Sequence, residues 1–175
     1  LKMRKMKRFF YAVATVMMAI GFTSCIGDSV TEEDFEWDAF FSYVTENKNY
    51  IREKKALMGT DGKPLYNQLV VSGDTVLYRV LSKSGSSTTT PNKQTKVTMT
   101  LKGDLIDGTN FQPSTQMILT PSSVVMGLEA VLLENTIGER VEAIIPASLG
   151  YGYSNHYQIP AGSTLIFTYL VEKFE

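Results

Sequence analysis

Apolar and polar positions recur along this chain with two different periods, and the change falls near Asp74. Ahead of it, Trp37, Phe41, Val44, Lys48 and Ile51 recur at steps of four and three, with Phe40, Tyr43, Asn47, Tyr50 and Leu57 running alongside. That spacing keeps a broad apolar and aromatic face aligned over about six helical turns, so an amphipathic helix is predicted. Thr31 and Asp34 have the spacing of a helix cap with an acidic first turn, and Gly59, Asp61, Gly62 and Pro64 break the pattern at the far end. Such a face packs on the chain's own domain, or it serves as a homodimer or client-binding surface.

From Asp74 onward the period drops to two. Thr75–Ser82 alternates and is rich in β-branched residues, which predicts a strand. Residues 83–95 hold Gly, Ser, Thr, Pro, Asn and Lys and predict a polar surface loop. Val97, Met99 and Leu101 then alternate with Thr98, Thr100 and Lys102, as in a strand with one wet face. Asp107-Gly108 marks a tight turn. Gln116–Thr120 predicts another short strand, Met126–Asn135 a helix through Leu128, Leu132 and Leu133, and Val141–Ile145 and Thr164–Val171 two more strands. Several strands with one short helix late in the order predict an α+β fold, a sheet curled over a helix.

The first 25 residues read as an address rather than as part of that fold. Lys2, Arg4, Lys5, Lys7 and Arg8 are followed by an almost wholly apolar, uncharged run from Phe9 to Phe22, then by Thr23, Ser24 and Cys25. A basic flank, a short apolar stretch and a small-residue boundary form the layout of a secretory signal, and about fourteen apolar residues are fewer than the roughly 20 of a spanning helix. The run Phe22-Thr23-Ser24-Cys25 resembles a bacterial lipobox, with Phe22 where leucine is usual. The resemblance implies a lipoprotein diacylated on Cys25 and held in the cell envelope, periplasmic or surface-facing. An uncleaved anchor, or a plain signal cut near Ser24 with Cys25 left free, are the other readings.

Charge and cysteine usage narrow the function classes. Setting aside the five leader bases leaves twelve basic against eighteen acidic residues, a net charge of −6. A mildly acidic body has no electrostatic footprint for nucleic acid. One Cys and one His come close to excluding a protein-built zinc site, and one Cys cannot close a disulfide within the chain. No cofactor and no metal are expected.

Across about residues 74–175 the residues resemble the FKBP family, the macrolide-binding immunophilins. The resemblance is densest in Gly138, Arg140, Ile145, Gly150-Tyr151-Gly152, Ile159-Pro160 and Ser163-Thr164-Leu165-Ile166-Phe167, with Asp107-Gly108, Phe111, Val124-Val125, Gly127 and Glu129 adding to it. It implies an FKBP-like curved antiparallel sheet wrapped on one short helix, divided as 1–24 signal peptide, 25–73 linker and amphipathic helix, and 74–175 FKBP-like domain. It further implies peptidyl-prolyl cis-trans isomerase activity in an apolar bowl, with proline-containing segments of folding proteins as partners. By that resemblance Phe111 and Phe167 are aromatic walls and Tyr151 supplies a hydroxyl to a substrate carbonyl, these three being the catalytic set. Val124, Val125, Leu128, Ile159, Leu101 and Gln112 bind the substrate, and His156 falls in the same loop as Tyr151.

Four positions depart from the family pattern: Leu101 replaces a strand tyrosine, Gln112 an aspartate, Thr115 a further aromatic wall and Leu128 the floor tryptophan. Leu128 keeps the floor apolar, whereas Gln112 loses a charge and Thr115 loses area, which by the resemblance implies weak macrolide binding and reduced activity. By residue type alone, Phe111, Val124, Val125 and Phe167 are ordinary core, whereas Tyr151 in its glycine-rich stretch fits a loop better. The readings are therefore a catalytic isomerase of the envelope, a non-catalytic FKBP-like module that holds peptides or assembles envelope components, or an aromatic helix that is itself the functional surface.

Overall fold

Two helices pack on opposite faces of one six-stranded antiparallel sheet. The computed structural model of the chain describes residues 37–175. The basic and apolar leader, Cys25 and the cap at residues 31–34 lie outside the described residues. Helix α1 spans Trp37–Ala56 and helix α2 Met126–Leu132. The strands are β1 (Asn67–Val71), β2 (Asp74–Lys83), β3 (Val97–Asp104), β4 (Asn110–Leu119), β5 (Glu139–Ile145) and β6 (Leu165–Phe174). Their order across the sheet is β1-β2-β5-β6-β3-β4, and every neighbouring pair is antiparallel.

The main core lies between α2 and one face of the sheet. Leu128, Val131 and Leu132 of α2 pack with Val76, Val97, Met99, Leu101, Val141, Ile145, Phe167 and Tyr169. Successive strand residues point to opposite faces, and both members of Val76-Leu77 and of Ile144-Ile145 are buried. The sheet is therefore covered on its second face as well. There Leu77, Ile144 and Tyr66 form a smaller cluster with Tyr50, Ile51 and Leu65, so α1 is the second cover. Its apolar face is divided: Val44 and Asn47 are buried, while Trp37 and Phe41 are 60% and 57% exposed. Among the described residues no helix is long and apolar enough to cross a membrane.

Two departures from the pattern have local causes. The expected boundary between residues 73 and 74 falls inside a hairpin, because β1 pairs with β2 through the two-residue turn Ser72-Gly73. Both turn residues have positive φ, 48° and 87°, the conformation that suits the right-handed twist of the flanking strands. Strand β4 begins six residues before the expected Gln116. Its register against β3 shifts between Thr115 and Gln112, leaving Pro113 and Ser114 in a bulge. Proline donates no ladder hydrogen bond, and it is tolerated here because β4 is an edge strand.

Candidate active site

A cavity of about 700 Å³ opens between α2, strands β3, β4 and β6, and the loop joining β5 to β6. Leu101 on β3, Phe111 and Gln112 on β4, Val124, Val125 and Leu128 around the start of α2, Tyr151 and Ile159 in the loop, and Phe167 on β6 all line it. The nine residues singled out in the sequence thus share one site. They reach it by separate local routes. Leu101 and Phe167 are inward positions of alternating strands, Leu128 lies on the sheet-facing side of α2, and all three are buried.

Phe111 and Phe167 meet edge to face, with ring centroids 5.6 Å apart and planes at 85°, a favoured aromatic arrangement. Gly103 makes room for it: a Cβ there would come within 2.5 Å of the Phe111 ring. Opposite them, Tyr151 stacks on His156 with centroids at 4.3 Å and planes at 11°. His156 in turn meets Tyr157 edge to face at 4.8 Å. His156 and Ile159 exchange backbone hydrogen bonds of 3.0 and 2.9 Å across a two-residue turn. That turn leaves Tyr157 at φ 51°, with its side chain 95% exposed. The Tyr151 hydroxyl has no hydrogen-bond partner among the described residues.

The lining carries no carboxylate, lysine or arginine. Gln112 stands at the rim, and its Nε2 donates to the Pro113 carbonyl at 3.1 Å. Thr115 is not part of the lining. It is exposed, and its Oγ1 donates to the Pro113 carbonyl at 2.9 Å. The expectation of a wall position at Thr115 is therefore corrected. Met117, Leu119, Ser123, Tyr157 and Gln158 also line the cavity and were not singled out. Met117 and Leu119 face inward and Ile118 between them is exposed, an alternation that the continuous apolar run 117–119 hides.

Residues 87–171 match the family described as FKBP-type peptidyl-prolyl cis-trans isomerase. This stretch, 85 of the 175 residues, forms a domain of the FKBP-type peptidyl-prolyl cis-trans isomerase kind. The chain is 34% identical over 95 residues to the FKBP-type isomerase FkpA of Buchnera aphidicola subsp. Schizaphis graminum, a match covering 52% of this chain and 38% of that protein. A second FkpA, from Buchnera aphidicola subsp. Acyrthosiphon pisum, is 36% identical over 78 residues, covering 42% of this chain and 32% of that one. The chain thus spans well under half the length of the curated relatives it matches. The fold is shared with the crystal structure of FkpA from Escherichia coli at a TM-score of 0.66 and 22% identity, over 79% of this chain and 62% of that one. It is also shared with a peptidyl-prolyl cis-trans isomerase from Pseudomonas syringae pv. tomato, at 0.64 and 20%, over 77% and 95%.

Proposed function

We propose that this cavity binds X–Pro segments of folding polypeptides and catalyses their cis-trans isomerisation. The observation that carries the reading is the convergence of two aromatic walls, an aliphatic floor and the unpaired Tyr151 phenol on a cavity lined by no carboxylate, lysine or arginine. Rotation about the X–Pro bond is slow because amide resonance must be lost, a barrier of about 18–20 kcal/mol. The reaction moves no atom between molecules, so it needs no nucleophile. The twisted amide has less charge separation than the planar one, so an apolar, water-poor pocket favours it relative to water. The Tyr151 hydroxyl can hold a substrate carbonyl in the twisted geometry. Lowering the barrier by about 5–6 kcal/mol gives on the order of 10⁴-fold acceleration.

The test is isomerisation of a short X–Pro peptide followed by protease coupling or fluorescence. Wild type is expected to exceed the thermal rate. Tyr151→Phe, which removes one hydrogen bond, is expected to lower kcat/KM roughly fivefold. A non-catalytic FKBP-like peptide-binding module is the second reading, and Gln112 favours it: the residue is uncharged and its amide is engaged with Pro113. No acceleration by wild type, and none on combining Gln112→Asp with Leu128→Trp, would decide for that module.

We further propose that the clients are envelope or surface proteins and that the chain is lipid-anchored through Cys25. The support is the basic flank, apolar run and small-residue boundary ahead of the chain's single cysteine. Labelled fatty acid is expected to enter the wild type and not Cys25→Ala. Equal labelling of the two would end the anchor proposal.

A further inference from the structure

We propose that α1 is a clamp on the pocket loop, residues 150–164, and that Asn47 is its central positioning residue. An amphipathic helix that only covered a sheet would bury apolar side chains, yet Asn47 is 1% exposed. All its groups are used. Its Nδ2 donates to the Tyr43 carbonyl at 2.9 Å, its Oδ1 accepts the Thr164 amide at 2.7 Å, and its carbonyl accepts the Thr164 hydroxyl at 3.3 Å. One turn earlier, the Tyr43 hydroxyl lies 2.8 Å from Ser163 Oγ. The single Ser163 hydroxyl hydrogen goes to the Pro160 carbonyl at 2.6 Å, so Tyr43 is the donor. Between these two contacts Val44 fits against Gly162, where a Cβ would come within 2.5 Å of the valine methyl.

These contacts reach the pocket within a few bonds. Pro160, held through Ser163 and Tyr43, follows Ile159 directly, and Ile159 is tied to His156. The Gly162 amide donates to the Gly152 carbonyl at 2.9 Å, and the Gly152 amide donates to the Ala147 carbonyl at 2.9 Å, so Tyr151 lies in a tied turn. Burial does not hold the outer part of this loop, since residues 153–158 are exposed. A buried, fully bonded polar group fixes one arrangement of the segments it joins. The clamp therefore places Tyr151 and Ile159 relative to Phe111 and Phe167.

The effect on rate rests on the isomerase reading, whereas the effect on the loop does not, and the experiment separates them. Asn47→Ala leaves the Thr164 amide buried without an acceptor, and Asn47→Asp keeps the acceptor. Tyr43→Phe is a milder variant in case Asn47→Ala folds poorly. Amide hydrogen exchange is followed at Gly152, His156, Ile159 and Gly162, with β3 and β5 amides as the reference, alongside kcat/KM. Asn47→Ala is expected to speed exchange in the loop by about tenfold or more, to leave β3 and β5 protected and to lower kcat/KM roughly fivefold. Asn47→Asp, which keeps the acceptor for Thr164 but loses the donor to the Tyr43 carbonyl, should recover part of both effects, and Tyr43→Phe should show a smaller change of the same kind. Unchanged loop exchange, or acceleration spread evenly over β3 and β5, would overturn the clamp. A wild type without isomerase activity would overturn the isomerase reading while the exchange result still decides the clamp.

Discussion

Replacing Glu139 by alanine is expected to destabilise the fold by about 3 kcal/mol, lowering Tm by roughly 10 °C. The carboxylate stands at the start of β5 and is buried. It accepts from Asn135 Nδ2 at 3.2 Å, the Thr136 amide at 3.1 Å and Lys83 Nζ at 3.1 Å. Asn135 Oδ1 in turn accepts the hydroxyl of Tyr169, which is buried in the main core. Without the carboxylate two donors stay buried and unpaired, at about 1–3 kcal/mol each. Lys83, 37% exposed in its side chain, can turn to water, which keeps the total toward the lower end of the range for a broken buried pair.

The same group makes the loss depend on pH. Burial alone would raise the Glu139 pKa, but the hydrogen bonds from Thr136 and Lys83 outweigh it and hold the carboxyl below its ordinary value. A depressed folded pKa contributes stability that is present above the unfolded value and is lost as pH falls through the folded one. The gap in unfolding free energy between wild type and Glu139→Gln is therefore expected to be full at neutral pH and to narrow below about pH 4. Chemical unfolding curves at several pH values measure it. A gap constant from neutral to acidic pH would show that the carboxylate is not the group that matters.

Nothing in the local pattern announced this network. Asn135 and Thr136 sit in the connection from α2 to β5 and Glu139 opens β5, places where polar residues are the expected surface type, yet all three are buried and Asn135 is bonded to the core Tyr169. For a related reason helical spacing places Asn47 on the apolar face without revealing its partner Thr164, 117 residues away. The pocket was far more legible. Its walls are inward positions of alternating strands and one helix, so Leu101, Leu128 and Phe167 follow from period and burial, and the resemblance supplied their convergence. Thr115 keeps the period of Met117 and Leu119 and pairs with the inward Leu101, yet its hydroxyl bonds the Pro113 carbonyl of the adjoining bulge, a contact that period does not reveal. Strand β1 was missed although Ser72-Gly73 carries a hairpin signal, because Asn67 and Gln68 dilute the apolar alternation ahead of it.

Phe167→Ala is the variant that strains both fold and function, and its expected cost is about 3–5 kcal/mol of stability. The ring is 4% exposed, and its cross-strand neighbours are Gly103 on β3 and Ala143 on β5. Neither has a side chain able to fill the space, so the cavity persists and the cost belongs at the upper part of that range. The edge-to-face contact with Phe111 is lost as well, about 0.5–1.5 kcal/mol beyond area. On the functional side, deleting one full wall of an apolar pocket removes roughly 1.5–3 kcal/mol of transition-state contact, a fall of about 10- to 100-fold in kcat/KM. Phe167→Leu keeps most of the buried volume while losing the flat aromatic face. It is expected to recover most of the stability and only part of the activity. Urea unfolding and X–Pro isomerisation of the two variants, under conditions where each remains folded, separate the roles. If activity instead follows stability through both variants, Phe167 acts only as core, and the aromatic wall has to be assigned to Phe111 alone.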